Sequence, residues 1–268
     1  MEKKVEPMSK KGFTLIELLV VIAIIALLLS IVMPSLQFVK KQAEHAVCLS
    51  NLGNLSKAWY AYSGENDDKM VGGTPALTSG WVCLAQTKDG ASRASGSEID
   101  EKIIGIRRGL LYPYLEDPKV YHCGGDKRWL EPPVITSFGG KGGYRSYSIP
   151  CGMNGIDWPE IIPLKKHTNI QSPDSKYIFV EEMDGRGYNM GAWAIYSVQQ
   201  QWIDPIAIWH NNFSSLGFAD GHVESHRWFG EGTIEMAESQ EFWWTPETEA
   251  DFKDFFFMQK RYAYKELK

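Results

Sequence analysis

Between Phe13 and Gln37 the chain has no lysine, arginine or histidine, and from Phe13 to Val32 its only polar residues are Thr14, Glu17 and Ser30. This lack of charge excludes a solvated surface helix. It leaves about 20 residues, which at ~1.5 Å rise each are enough to cross a hydrocarbon core. No small-residue cleavage site follows the run, and it exceeds the roughly 7 to 15 apolar residues of a secretory signal core, which excludes an ordinary cleaved signal. The small residue, Gly12, stands before the run, so a cut there leaves the apolar helix on the mature chain. No second run of this kind and no internal repeat follows Val32.

Other absences narrow the function. The four cysteines are Cys48, Cys83, Cys123 and Cys151, and no two stand in CxxC spacing, which argues against a zinc site built from cysteines. Outside the cytoplasm they allow three pairings, and one or two disulfides are expected. There is no basic stripe, and a formal net charge of -5 gives nothing to draw the chain to nucleic acid. A serine-centred nucleophile motif, a phosphate-cradling glycine loop and paired carboxylates at helical spacing are all missing, so no enzyme activity and no catalytic residue are expected.

What is present begins with Lys3, Lys4, Lys10 and Lys11, which hold the N-terminus in the cytoplasm under the positive-inside rule and put the rest across the membrane. The leader, residues 1–12, carries four lysines and two glutamates, so losing it removes a charge of +2 and takes the chain from -5 to -7. Glu17 is the anomaly. A carboxylate this far into a membrane helix costs several kcal/mol unless it is paired. Cutting the Gly12 to Phe13 bond frees an amine on Phe13, and Glu17 of one copy can pair with that amine on a neighbour packed alongside. Glu17 is therefore expected to act in assembly.

The stretch KKGFTLIELLVVIAIIALL resembles the N-terminal signature of type IV prepilins and of type II secretion pseudopilins, through Gly12, Phe13, Glu17 and the helix-bending Pro34. The resemblance implies that a prepilin peptidase cleaves after Gly12 and methylates Phe13. It further implies an assembly platform of the bacterial inner membrane that stacks the subunit with other pilins or pseudopilins into a pilus-like or secretion filament. The fold it implies is pilin-like α+β, a long N-terminal α-helix with a transmembrane first half, packed on an antiparallel β-sheet head.

The chain then divides into the leader at 1–12, a transmembrane half-helix at 13–33, an amphipathic half-helix at 34–63 and an extracytoplasmic α+β head at 64–268. Leu36, Val39, Ala43, Val47, Leu52, Leu55, Trp59 and Tyr62 recur mostly at helical spacing, and GENDDK stops the helix near Ser63 and Gly64. Such a helix is ~75 Å long. Residues 80–84 and 119–123 read as short extended pieces, 103–115 as a short helix, and 176–180 as a central strand. Residues 213–219 and 222–228 flank Asp220-Gly221 as a hairpin with a type I′ turn. A last helix is expected at about 248–266, opened by a capping box at Thr248 and Asp251.

His210, nine residues and then Asp220-Gly221, together with Cys48-Leu49-Ser50-Asn51-Leu52 and Cys123-Gly124-Gly125-Asp126, resembles a large group of pseudopilin-like proteins with a C-terminal H-x9-DG module spanning 210–228. In that group proline usually follows the middle cysteine; here glycine does. His210 is expected to pin the hairpin by bonding Asp220 or the turn backbone. Alternatively it ligates a metal with Asp220 and His222, since residues 220, 222, 224 and 226 share a strand face. No cofactor is expected otherwise, structural calcium or another divalent ion excepted. Glu181, Glu182 and Asp184 read as a solvated strand end. Ten tryptophans, six of them from Trp193 to Trp244, read as core, with a polysaccharide-gripping surface module as the alternative function and a metal-dependent enzyme behind it.

Overall fold

The apolar run and the amphipathic stretch after it form one continuous helix, α1, Leu15–Glu65. The computed structural model describes residues 14–76, 78–91, 98–130, 143–156, 161–184 and 192–266; Gly12 and Phe13 lie outside them. Contacts divide the chain into two units, Met1–Gln42 and Ala43–Lys268.

In the first unit the helix keeps its apolar side chains exposed, from Leu15 through Val39. It contains an 18-residue window of mean hydropathy 3.2 with nothing buried, long and apolar enough to cross a membrane. Pro34 sits inside this helix, where it withholds one backbone donor without ending it. At the start, Thr14 and Glu17 cap each other. The Thr14 amide and hydroxyl donate to Glu17 Oε2 at 2.8 and 2.7 Å, and the Glu17 amide donates to Thr14 Oγ1 at 3.3 Å. This is the S/T-x-x-E capping box, present in the sequence as Thr14-Leu15-Ile16-Glu17.

The second unit is α+β. Its part of α1 buries Cys48, Leu52, Leu55, Ala58 and Trp59. The expected stripe holds only in its second half, through Leu52, Leu55 and Trp59 with Tyr62 partly buried; Leu36, Val39, Ala43 and Val47 are exposed, and Cys48 begins the inward face. The elements that follow are α2 (Ile99–Arg107), β1 (Tyr147–Ser148), β2 (Ile161–Ile162), β3 (Tyr177–Glu181), β4 (Ile195–Tyr196) and β5 (Gln201–Trp202). After them come β6 (Phe213–Phe218), β7 (Val223–Arg227), α3 (Glu231–Ser239), α4 (Glu249–Arg261) and β8 (Lys265–Glu266). The main sheet is antiparallel in the order β1-β3-β6-β7, with β2-β8 and β4-β5 as separate pairs.

β3 is buried at every position, as its unbroken apolar run requires of a strand covered on both faces. A register shift between Tyr177 and Phe179 breaks its alternation. Ile178 and Phe179 thereby join one core cluster with Cys48, Leu52 and Trp59, while Tyr177 and Val180 join a second with Trp193, Trp202, Trp228 and Phe255. Gly217 on β6 lets the helix approach: a Cβ there would stand 2.5 Å from Ser56 Oγ.

Several local expectations shift. The hairpin forms, but only Gly221 has positive φ, at 94°, and the Gly221 amide donates to the Phe218 carbonyl at 3.0 Å. This is a type I turn closed by a left-handed glycine, where type I′ would need positive φ at both central residues. Residues 80–84 make isolated bridges such as Ala76 with Cys83 instead of a strand, and the expected extended piece at 119–123 starts as the 3-10 turn Pro118–Tyr121. The short helix lies earlier than expected, because Glu98 and Glu101 cap α2 at its start. At the end, Thr248 and Asp251 make the expected capping box, but α4 stops at Arg261 and Lys265–Glu266 pairs with Ile161–Ile162 as strand.

Candidate functional site

Four segments remote in sequence converge beneath α1. Cys48 comes from the buried face of α1 and Cys123 from the turn after Pro118–Tyr121. Glu181 ends β3, and His210 precedes β6. All four are buried, and one donor atom from each lies within 4.8 Å of the others. The Sγ atoms of Cys48 and Cys123 are 2.7 Å apart, Cys123 Sγ is 3.2 Å from His210 Nε2, and His210 Nε2 is 3.5 Å from Glu181 Oε1.

Local structure fixes each one. The Cys123 amide donates to Ser146 Oγ at 2.9 Å and its carbonyl accepts from Asp126 at 3.0 Å. Gly125 must be glycine-sized, since a Cβ would meet Trp209 Cβ at 2.8 Å and His210 Cε1 at 3.3 Å. Glu181 Oε2 accepts the Ser215 amide at 3.2 Å, leaving Oε1 buried without a hydrogen bond. The His210 carbonyl accepts from Phe213 at 3.1 Å, across Asn211 and Asn212 in left-handed conformation, which asparagine tolerates. The His45 ring stacks on that of His210 at 4.7 Å, and His210 Nδ1 has no partner.

The electrostatics follow from this packing. Burial raises Glu181 to about 7, opposed by its close contact with His210. Burial alone would lower His210, but hydrogen bonds and charge from Cys48 and Glu181 push it up to about 10. The Cys48 thiol is lowered by its contact with Cys123, and burial raises Cys123.

The structure corrects three readings of this region. His210 does not reach Asp220, because the two sit at opposite ends of six-residue β6, roughly 20 Å of strand. Asp220 instead pairs with His222, Oδ1 to Nδ1 at 2.5 Å, and His222 Nε2 lies 3.4 Å from Glu224 on a partly exposed turn. The set His210, Asp220 and His222 is therefore split between two places. Glu181, Glu182 and Asp184 are buried, not solvated. The expected disulfides are not formed: all four cysteines are free and buried, with Cys83 Sγ on the Arg108 carbonyl and Cys151 Sγ on that of Ala192. Of the possible pairs, Cys48 and Cys123 are the one whose sulfurs meet, at 2.7 Å.

Beside the quartet lies a second buried polar group. Arg128 donates to both carboxylate oxygens of Asp126 at 3.0 and 2.7 Å, and Ser146 donates to Asp126 at 2.7 Å. Its guanidinium rests 5.4 Å from the Trp209 ring, against the segment that carries His210. Trp193, Trp202 and Trp228 are core, and of the six late tryptophans Trp243 alone is about half exposed, at 51%.

Glu181 was the residue least legible in advance. The signal was the apolar run of β3, whose burial on both faces extends to its last residue.

Residues 7–33 match the prokaryotic N-terminal methylation motif family. The type IV wide pilus major component PilA4 of Thermus thermophilus is 44% identical over 59 residues, 22% of this chain. The matching stretch spans 45% of that relative's length. No solved structure matches the chain.

Proposed function

We propose that this type IV prepilin-like chain is a pilin or pseudopilin subunit of a filament, built to be assembled and without an active site of its own. The observation that carries the reading is the lysine-flanked Gly12-Phe13 junction four residues before Glu17, at the head of a helix whose 18-residue apolar window has no side chain buried. Cleavage between Gly12 and Phe13 by a prepilin peptidase, with methylation of Phe13, leaves the helix as a single-pass anchor. Its N-terminus faces the cytoplasm and the head lies beyond the inner membrane. An inner-membrane platform then passes the subunit into a type IV pilus-like or type II secretion filament with other pilins. There Glu17 pairs with the Phe13 amine of a neighbour, and in exchange gives up its bonds to Thr14.

The test is expression of the full chain with a prepilin peptidase and an assembly system, followed by N-terminal sequencing of the membrane and filament fractions. The mature chain is expected to begin at methylated Phe13. Glu17→Ala is expected to be cut normally but to fall at least roughly tenfold in the filament fraction, the loss of one paired charge in an apolar setting. A chain still beginning at Met1, or an alanine variant that assembles at the parental level, overturns the proposal.

A further inference from the structure

We propose that Cys48, Cys123, Glu181 and His210 form a structural zinc site that ties α1 to the sheet of the head. The donor set is two sulfurs, one imidazole and one carboxylate, a combination that zinc takes and calcium, which needs six to eight oxygens, does not. Zinc bonds of about 2.3 Å to sulfur and about 2.0 to 2.1 Å to nitrogen and oxygen give a tetrahedron with edges of roughly 3.3 to 3.8 Å. The four donor atoms lie within 4.8 Å of one another, and the two sulfurs, now 2.7 Å apart, part by about 1 Å to receive the ion.

A Cys48–Cys123 disulfide is the rival occupant. It accounts for the sulfurs alone. It leaves a histidine and a fully buried carboxylate converging on the same point, with Glu181 Oε1 making no hydrogen bond and only a 3.5 Å ion-pair contact with His210 Nε2. The ion gives all four donors a bond. Four protein ligands, all buried, leave no open position for water or substrate, which makes the site structural and not catalytic.

Binding balances as follows. Zn²⁺ displaces to solvent whatever protons the two sulfurs and the Glu181–His210 pair carry, and binds between two thiolates, a carboxylate and a neutral imidazole. No electrons move. Cys48 and Cys123 are 75 residues apart and Cys123 and His210 are 87 apart, so the donors meet only in the folded head.

The experiment uses the full chain, solubilised in detergent and purified without chelator. Elemental analysis is expected to give one zinc per chain, all four thiols titrating in denaturant after chelation, and a melting temperature at least about 5 °C lower without the ion and restored by added zinc. Glu181→Gln keeps the shape and the Ser215 contact and is expected to weaken zinc retention against a competing chelator at least roughly tenfold. A chain free of zinc that takes up none on addition overturns the proposal. So does one in which only two thiols titrate and its mass shows a Cys48–Cys123 bridge.

Discussion

His226 on β7 lies with its ring stacked on Phe257 at 3.5 Å and edge-on to Trp228 at 4.5 Å. Burial, helped by the charge of Arg261, lowers its pKa from 6.5 to about 4. In the unfolded chain the ring takes its proton near the ordinary value, so between pH 4 and 6.5 the unfolded state binds more protons. Stability at this site is complete above about 6.5 and falls as the pH drops toward 4, by about 1 to 2 kcal/mol after allowing for partial exposure. His226→Phe is expected to flatten the dependence of melting temperature on pH in that window; an unchanged slope refutes the assignment. The alternation that puts Glu224 and His226 on one face of β7 is legible in the sequence, while Asp220 and His222 fall in the turn before the strand, and the partner of each side chain is not legible. Phe257 and Glu181 arrive from distant segments, and no spacing rule reports them.

Among the elements, α1 against β6 is the contact with the least slack. In Gly217→Ala the new Cβ stands 2.5 Å from Ser56 Oγ, with Phe179 Cβ next at 3.5 Å, so the helix or the strand must shift. The variant is expected to lose about 1 to 3 kcal/mol in chemical denaturation. Ser56→Ala in the same chain is expected to recover part of the loss, because it removes the atom that clashes. Full additivity of the two substitutions refutes the close-approach account. The elements with strong periodicity, α1, β3 and the β6-β7 hairpin, are readable from residue pattern, and so is the α4 cap at Thr248. The end of α4 is not, because Lys265–Glu266 is drawn into strand by Ile161–Ile162, about a hundred residues earlier. Gln240 closes α3 in left-handed conformation where glycine is the usual marker, so that helix has no readable stop.

For the molecule as a whole, the two units have opposite needs. The apolar side chains of the first remain uncovered, while the second, Ala43–Lys268, buries its own core. A fragment of residues 43–268 is expected to stay soluble and folded without detergent, with a cooperative melting transition, whereas the full chain requires detergent. Aggregation of the fragment under reducing conditions would show that the core is incomplete without residues 14–42. Composition and hydropathy make the uncovered apolar stretch legible but not the break after Gln42, which falls inside the amphipathic half-helix expected at 34–63. The convergence of Cys48, Cys123, Glu181 and His210 is hidden from them, since it depends on β3 and β6 being neighbours across 34 residues of chain. The burial of every cysteine has a further result. Folded copies present no thiol to one another, so thiol-selective alkylating reagents leave the folded head unmodified, and any disulfide between neighbouring molecules requires the head to open first.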